Sequence, residues 1–146
     1  MKKLLLVILV TNVISGCSEP NNTLSFEMKT TDEKYSETIK DAASILSQLC
    51  PPAKNANSVN AIYQSDVVDG NDGMLGYRSE KYGWSYDVEF SVKDEKTGHT
   101  HWIYIGGNDD GVNGFLVAGK QESLDFCNID ATMKDNYFLP ISISQN

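Results

Sequence analysis

The chain has one arginine and two histidines, and only 12 basic side chains stand against 20 acidic ones in 146 residues, a formal charge of −8. This shortage of positive charge excludes a nucleic-acid binder that relies on a basic surface, because phosphates would be repelled rather than neutralised. Long apolar runs are missing too. The run 4–10 falls well short of the roughly 20 residues a membrane-spanning helix needs. Catalytic signatures are absent: no G-x-S-x-G elbow, no H-E-x-x-H, no phosphate-cradling glycine loop and no C-x-x-C. A glycosidase-type carboxylate pair needs only proximity in space, so counting acids leaves that chemistry open. A small chain with two histidines and no motif nevertheless reads as non-enzymatic, without a cofactor. Against these absences, 40% apolar and 10% aromatic residues are enough for a packed core. The length suits one domain, and there is no internal repeat.

Residues 1–17 read MKKLLLVILVTNVISGC. Two lysines, a short apolar run and small residues ahead of a cysteine fit a secretory signal better than a permanent span. Ile14-Ser15-Gly16-Cys17 resembles the lipobox of bacterial lipoproteins. That resemblance is confined to the leader. It implies removal of residues 1–16, a diacylglycerol thioether on Cys17 and usually an N-acyl chain, with 17–22 as a polar tether to a single domain, 23–146. The alternative is an ordinary secretory signal with a cysteine near its end. Several acyl chains anchor stably, since each buried methylene adds about 0.8 kcal/mol. Serine rather than aspartate at position 18 looks, by the sorting pattern of Gram-negative lipoproteins, like delivery to the outer membrane, facing the periplasm. Without the leader the chain has 20 acidic and 10 basic side chains, a net charge of −10.

Lipidation of Cys17 leaves Cys50 and Cys127. In an oxidising compartment an even count favours a disulfide. Two buried thiols or a catalytic cysteine are the alternatives, and neither residue neighbours a histidine in sequence.

Leu24, Phe26 and Met28 alternate with polar residues as in a strand. Thr30 and Glu33 have capping-box spacing. Tyr35, Ile39, Ala42, Leu46 and Leu49 then recur at helical intervals, with Cys50 continuing the face and Pro51-Pro52 ending the helix. Beyond Pro52 the chain reads as strands and turns: 59–68, 84–93, 101–105, 114–118, 123–128 and 139–143. Pro140 marks the last as an edge strand. The turn 95–98, read as type I with a glycine bulge, sets Val92 opposite Trp102 and Phe90 opposite Tyr104. The expected fold is α+β: one N-terminal amphipathic helix on a curved antiparallel sheet, similar in outline to cystatin-like folds, with one disulfide. A β-sandwich or barrel plugged by the helix is the alternative.

His99 and His101 share a strand face and could begin a zinc site. The register places them beside Lys93 and Glu95, away from the core, where solvated residues near a turn are the simpler reading; no metal site is expected. Two acidic glycine-rich segments, 66–73 and 106–114, carry Asp69, Asp72, Asp109 and Asp110. They suit ordinary turns, calcium or a partner surface, and neither has the EF-hand register. Of the aromatic set Tyr77, Tyr82, Trp84, Tyr86, Phe90, Trp102 and Tyr104, alternation turns most inward. Tyr77 and Tyr82 fit it least and flank Arg78, so this segment is a second candidate contact surface.

Three functions suit such a chain. The first is an inhibitor or immunity-type lipoprotein, anchored to the membrane and binding a basic cell-wall hydrolase or toxin, with Asp109 or Asp110 entering the partner's active site. The second is a pilotin-like assembly lipoprotein that holds an apolar client segment between helix and sheet. The third is glycan binding through exposed aromatics.

Overall fold

The computed structural model describes residues 24–28, 33–65 and 76–142. Among these residues a mixed six-stranded sheet carries three α-helices. In chain order the elements are β1 (Glu27–Met28), α1 (Ser36–Leu49), β2 (Val59–Ser65), α2 (Gly76–Tyr82), β3 (Tyr86–Lys93), β4 (Thr100–Asn108), β5 (Gly111–Val117), α3 (Gln121–Phe126) and β6 (Tyr137–Pro140). Spatial order equals chain order. β1 runs parallel to β2, and every later pair is antiparallel. A strand therefore precedes the helix, which is not the N-terminal element.

α1 forms where the apolar period is cleanest. Ile39, Ala42, Ala43 and Leu46 are buried, and Glu37 lies in the first turn, where a negative charge suits the helix dipole. A 3₁₀ turn, Glu33–Tyr35, leads into it, and the N-cap residue Tyr35 makes no side-chain capping bond. Thr30 of the expected capping box lies outside the described residues. Cys50 N–H donates to Leu46 O at 2.7 Å, after which Pro51 and Pro52 open a second 3₁₀ turn, Pro51–Asn55. The buried face of α1 packs on Ala61, Val88, Phe90, Val92, Ile103, Ile105, Phe115 and Val117 in one core.

The hairpin register differs from expectation by one residue. Gly98, at φ 78°, serves as the last residue of a four-residue turn rather than as a bulge inside the strand. Asp94 N–H donates to His99 O at 2.8 Å, and Gly98 N–H to Asp94 O at 2.7 Å. Val92 therefore faces His101, and Phe90 faces Ile103. A slip of one exchanges the faces of a strand. Trp102 and Tyr104 lie opposite Ser91 and Glu89 on the far side of the sheet, where Trp102 is 45% exposed. His101 joins the core side and is buried, not solvated.

Further corrections concern 106–114, 123–128 and the all-β reading after Pro52. Gly106 and Gly107 continue β4, so the second acidic segment shrinks to a turn at Asp109–Asp110. Glycine is needed at 106 because a Cβ there would run into the Trp84 ring. Residues 121–126 form α3: burial at Ser123, Leu124 and Cys127 follows helical spacing, and Cys127 is the C-cap residue. α2 ends at Gly83, whose φ of 71° suits only glycine in comfort and whose N–H donates to Ser79 O. β2 stops at Ser65 as described, and residues 66–75 lie outside the described set. Among the described residues β6 pairs only with β5, which makes it the edge that Pro140 requires. Cys50 and Cys127 are joined by a disulfide across 77 residues.

Candidate functional site

The rows of the sheet define two poles. Ser65 pairs with Tyr86, and Tyr86 with Gly107, so the end of β2, the start of β3 and the β4–β5 turn share one end. Val59, Val92 and the turn after Lys93 lie at the other, beside the disulfide-flanking segment Pro51–Asn55.

The first pole gathers tyrosines and acids. Tyr35 stacks on Tyr63 with ring centres 3.8 Å apart, and Tyr63 stacks on Tyr86 at 5.7 Å. All three rings are half-buried. Tyr63 and Tyr86 are alternate-register neighbours on adjacent strands, and α1 brings Tyr35 onto them from its leading turn. Burial raises the hydroxyl pKa of Tyr63, and Tyr35 adds to the effect. Burial likewise raises that of Tyr86, followed by Tyr63 and the nearby Asp41 carboxylate. Rings stacked in this way offer rigid amphipathic contact area.

Asp109 and Asp110 stand exposed at the β4–β5 turn of this pole, tied down by Asp110 N–H donating to Asn108 Oδ1 at 2.9 Å. Between the turn and α1 lies a groove of about 350 Å³, lined by Thr38, Asp41, Ser44, Ile45, Tyr86, Gly111 and Val112. Asp41, Asp109 and Asp110 form no salt bridge among the described residues. Sequence reasoning missed Asp41 and the tyrosine stack, since the helix pattern showed Asp41 only as an off-face polar residue.

The second expected surface divides. Tyr77 is 52% exposed, with its hydroxyl accepting from Lys81 Nζ at 2.9 Å. Tyr82 is half-buried and stacked on Phe138 at 4.2 Å. The Arg78 side chain is largely buried. It turns under α2, where Nε donates to Asp87 Oδ2 at 2.6 Å and Nη2 to Gln64 Oε1 at 3.1 Å. Its guanidinium lies 4.2 Å over the Tyr104 ring. Burial, outweighing Arg78, pushes Asp87 up to about 6. Tyr104 is pushed up to about 12, by burial first and then by the charge of Glu89. Asp87 and Glu89 are both buried on one face of β3, and the Arg78–Asp87 pair holds α2 to the sheet. Beside them Trp84 fills the space over Gly106 and Gly114, its Nε1–H donating to Asn113 Oδ1 at 2.6 Å.

At the other pole, His101 Nδ1 and Ser123 Oγ share a hydrogen bond of 2.7 Å, and the ring stacks on Phe126. His99 is exposed and pairs with Glu122 at 3.0 Å. No three His, Cys, Asp or Glu side chains are grouped to hold a metal among the described residues. Cys17, Asp69 and Asp72 lie outside the described residues. No family model matches the chain, and neither does any curated protein or solved structure.

Proposed function

We propose that this chain is a non-enzymatic, lipid-anchored protein of the periplasmic face of the outer membrane, an inhibitor or immunity-type module that captures a basic cell-wall hydrolase or toxin. One observation carries the reading: the exposed Asp109–Asp110 turn shares a pole with the Tyr35–Tyr63–Tyr86 stack. Acidic groups at a rim steer a cationic partner and speed its encounter, while tyrosines supply the contact energy once it docks. The net charge of −10 left once residues 1–16 are removed acts in the same direction at longer range.

The path of the chain suits an anchor at Cys17. β1 is parallel to β2, with Glu27 beside Asn60, so the chain reaches the sheet at the pole opposite the acidic turn. The six residues between Cys17 and Leu24 can span at most about 25 Å. The nine residues of β4 then carry the acidic turn roughly 30 Å further out. A partner in the periplasm would meet the tyrosine pole first. The cystatin-like outline, a curved sheet wrapped on one helix, is the scaffold this reading assumes. An assembly factor would need room between α1 and the sheet for a client segment, whereas Ile39, Ala42 and Leu46 fill that space.

The test is capture from periplasmic extract and culture medium with the intact chain as bait. A basic hydrolase or toxin should be retained and then released by salt, and deleting the gene should sensitise cells to that same protein. Retention of no basic protein, or loss of one outer-membrane complex on deletion, would overturn the proposal.

A further inference from the structure

The groove beside the acidic turn has the lining of a side-chain receptor. Its walls come from two places, Thr38, Asp41 and Ile45 on α1, and Gly111 and Val112 on the hairpin, with Tyr86 between them. Ile45 and Val112 pack on the core from one side and leave apolar surface in the groove on the other. Its volume of about 350 Å³ is near the small end of the roughly 300–1,000 Å³ typical of ligand pockets, a size for one long side chain rather than a peptide.

Charge decides which side chain. The Asp41 carboxylate lies at the groove and has no salt bridge among the described residues. The nearby lysines are engaged elsewhere: Lys40 Nζ binds Glu37 at 3.1 Å, and Lys34 Nζ sits 4.7 Å over the Tyr35 ring. Tyr86 adds a neutral phenol to the lining, held in place by its stack on Tyr63. A groove with apolar wall at Ile45 and Val112 that also holds an exposed carboxylate and an aromatic ring complements a long apolar stem with a cationic head.

We infer that the groove between α1 and the β4–β5 turn receives one arginine or lysine side chain of the partner, its stem against Ile45 and Val112 and its cation on Asp41 and Tyr86. This deepens the proposed function and rests on its cationic partner. Asp41 is thereby a specificity residue, distinct from Asp109 and Asp110, which act at longer range.

Titrating the isotopically labelled intact chain with N-acetyl-arginine amide, followed by NMR, tests the groove without the partner. N-acetyl-citrulline amide is the neutral control of equal shape. Saturable shifts at Ile45, Tyr86 and Val112 are expected with the arginine probe, at least tenfold weaker with citrulline. They should be lost in Asp41→Asn and kept in Asp110→Asn. Equal response to both probes, or shifts indifferent to Asp41→Asn, would overturn the inference. The two readings fail separately. Probe binding with no basic protein captured leaves the groove assigned and removes the proposed function. Capture of a basic protein whose affinity ignores Asp41→Asn does the reverse.

Discussion

Arg78 and Asp87 meet beneath α2 in an ion pair of 2.6 Å in which the carboxylate is wholly buried and its Oδ1 has no hydrogen-bond partner among the described residues. Desolvation outweighs the attraction of the guanidinium, so the folded protein holds the Asp87 proton up to a pH of about 6 rather than near 3.8. A carboxyl whose pKa is raised by folding favours the folded state while protonated, and that advantage fades as pH rises through the window between the two values. Wild-type stability should therefore gain on that of Asp87→Asn as pH falls from 7 to 4, by on the order of 3 kcal/mol at most. Urea unfolding of both proteins across this range checks the sign. A wild type that instead loses ground to Asp87→Asn would show that the ion pair dominates.

Removing the cation alone should be worse than removing the pair. Arg78→Met leaves Asp87 buried without a counter-charge, a change that typically costs about 3–5 kcal/mol. The loss should shrink in acid, where Asp87 takes a proton, and in the double variant Arg78→Met/Asp87→Leu. A double-mutant cycle by chemical unfolding measures both effects.

The disulfide closes a span of 77 residues that contains β2 to β5, and it ties the end of α1 to the end of α3. In the chain-entropy account its removal as Cys50→Ser/Cys127→Ser should cost about 4.5 kcal/mol. That is a large share of the roughly 5–15 kcal/mol stabilising a whole domain. The cellular level of the variant should drop, and thiol labelling of unfolded, unreduced wild type should find neither Cys50 nor Cys127 reactive.

How much of this was legible depends on the range of the contacts. The period of Ile39, Ala42 and Leu46 identified α1, and the alternation of Val88, Phe90 and Val92 identified β3, because each pattern lies within one element. Pro140 located an edge strand for the same local reason. Gly98 was ambiguous: a glycine after a turn can close it or bulge the strand, and the two choices put Trp102 on opposite faces. α3 spans six residues, under two turns, too short for a helical period to separate from the alternation of Leu124 and Phe126. The tyrosine pole was invisible in sequence because it joins α1, β2, β3 and the β4–β5 turn, which meet only once the sheet has formed.

His101 should titrate abnormally. Burial lowers its pKa from 6.5, with the carboxylates of Asp94 and Glu122 opposing and His99 and Lys120 reinforcing the shift. Its Nε2 is buried without a hydrogen-bond partner among the described residues, and Nδ1 is bound to Ser123. A base whose folded pKa is depressed contributes stability that is complete above its unfolded value and is lost as pH falls below it toward the folded value. In NMR the His101 ring should titrate below pH 6.5, while His101→Phe should lose less stability on acidification than wild type. A ring that protonates at or above its ordinary pH would contradict the buried placement on the core face.

The central claim is recognition of a cationic partner through the pole of Asp109, Asp110 and the tyrosine stack, and association kinetics test it most directly. The partner captured by the intact chain should bind wild type with an on-rate that falls steeply as ionic strength rises, as steered encounters do. Asp109→Asn/Asp110→Asn should lower that on-rate about tenfold at low salt and flatten its salt dependence, with little change in the off-rate. Tyr63→Ala should instead speed dissociation. An on-rate indifferent to salt and to both aspartates, or a partner that is itself acidic, would contradict the account.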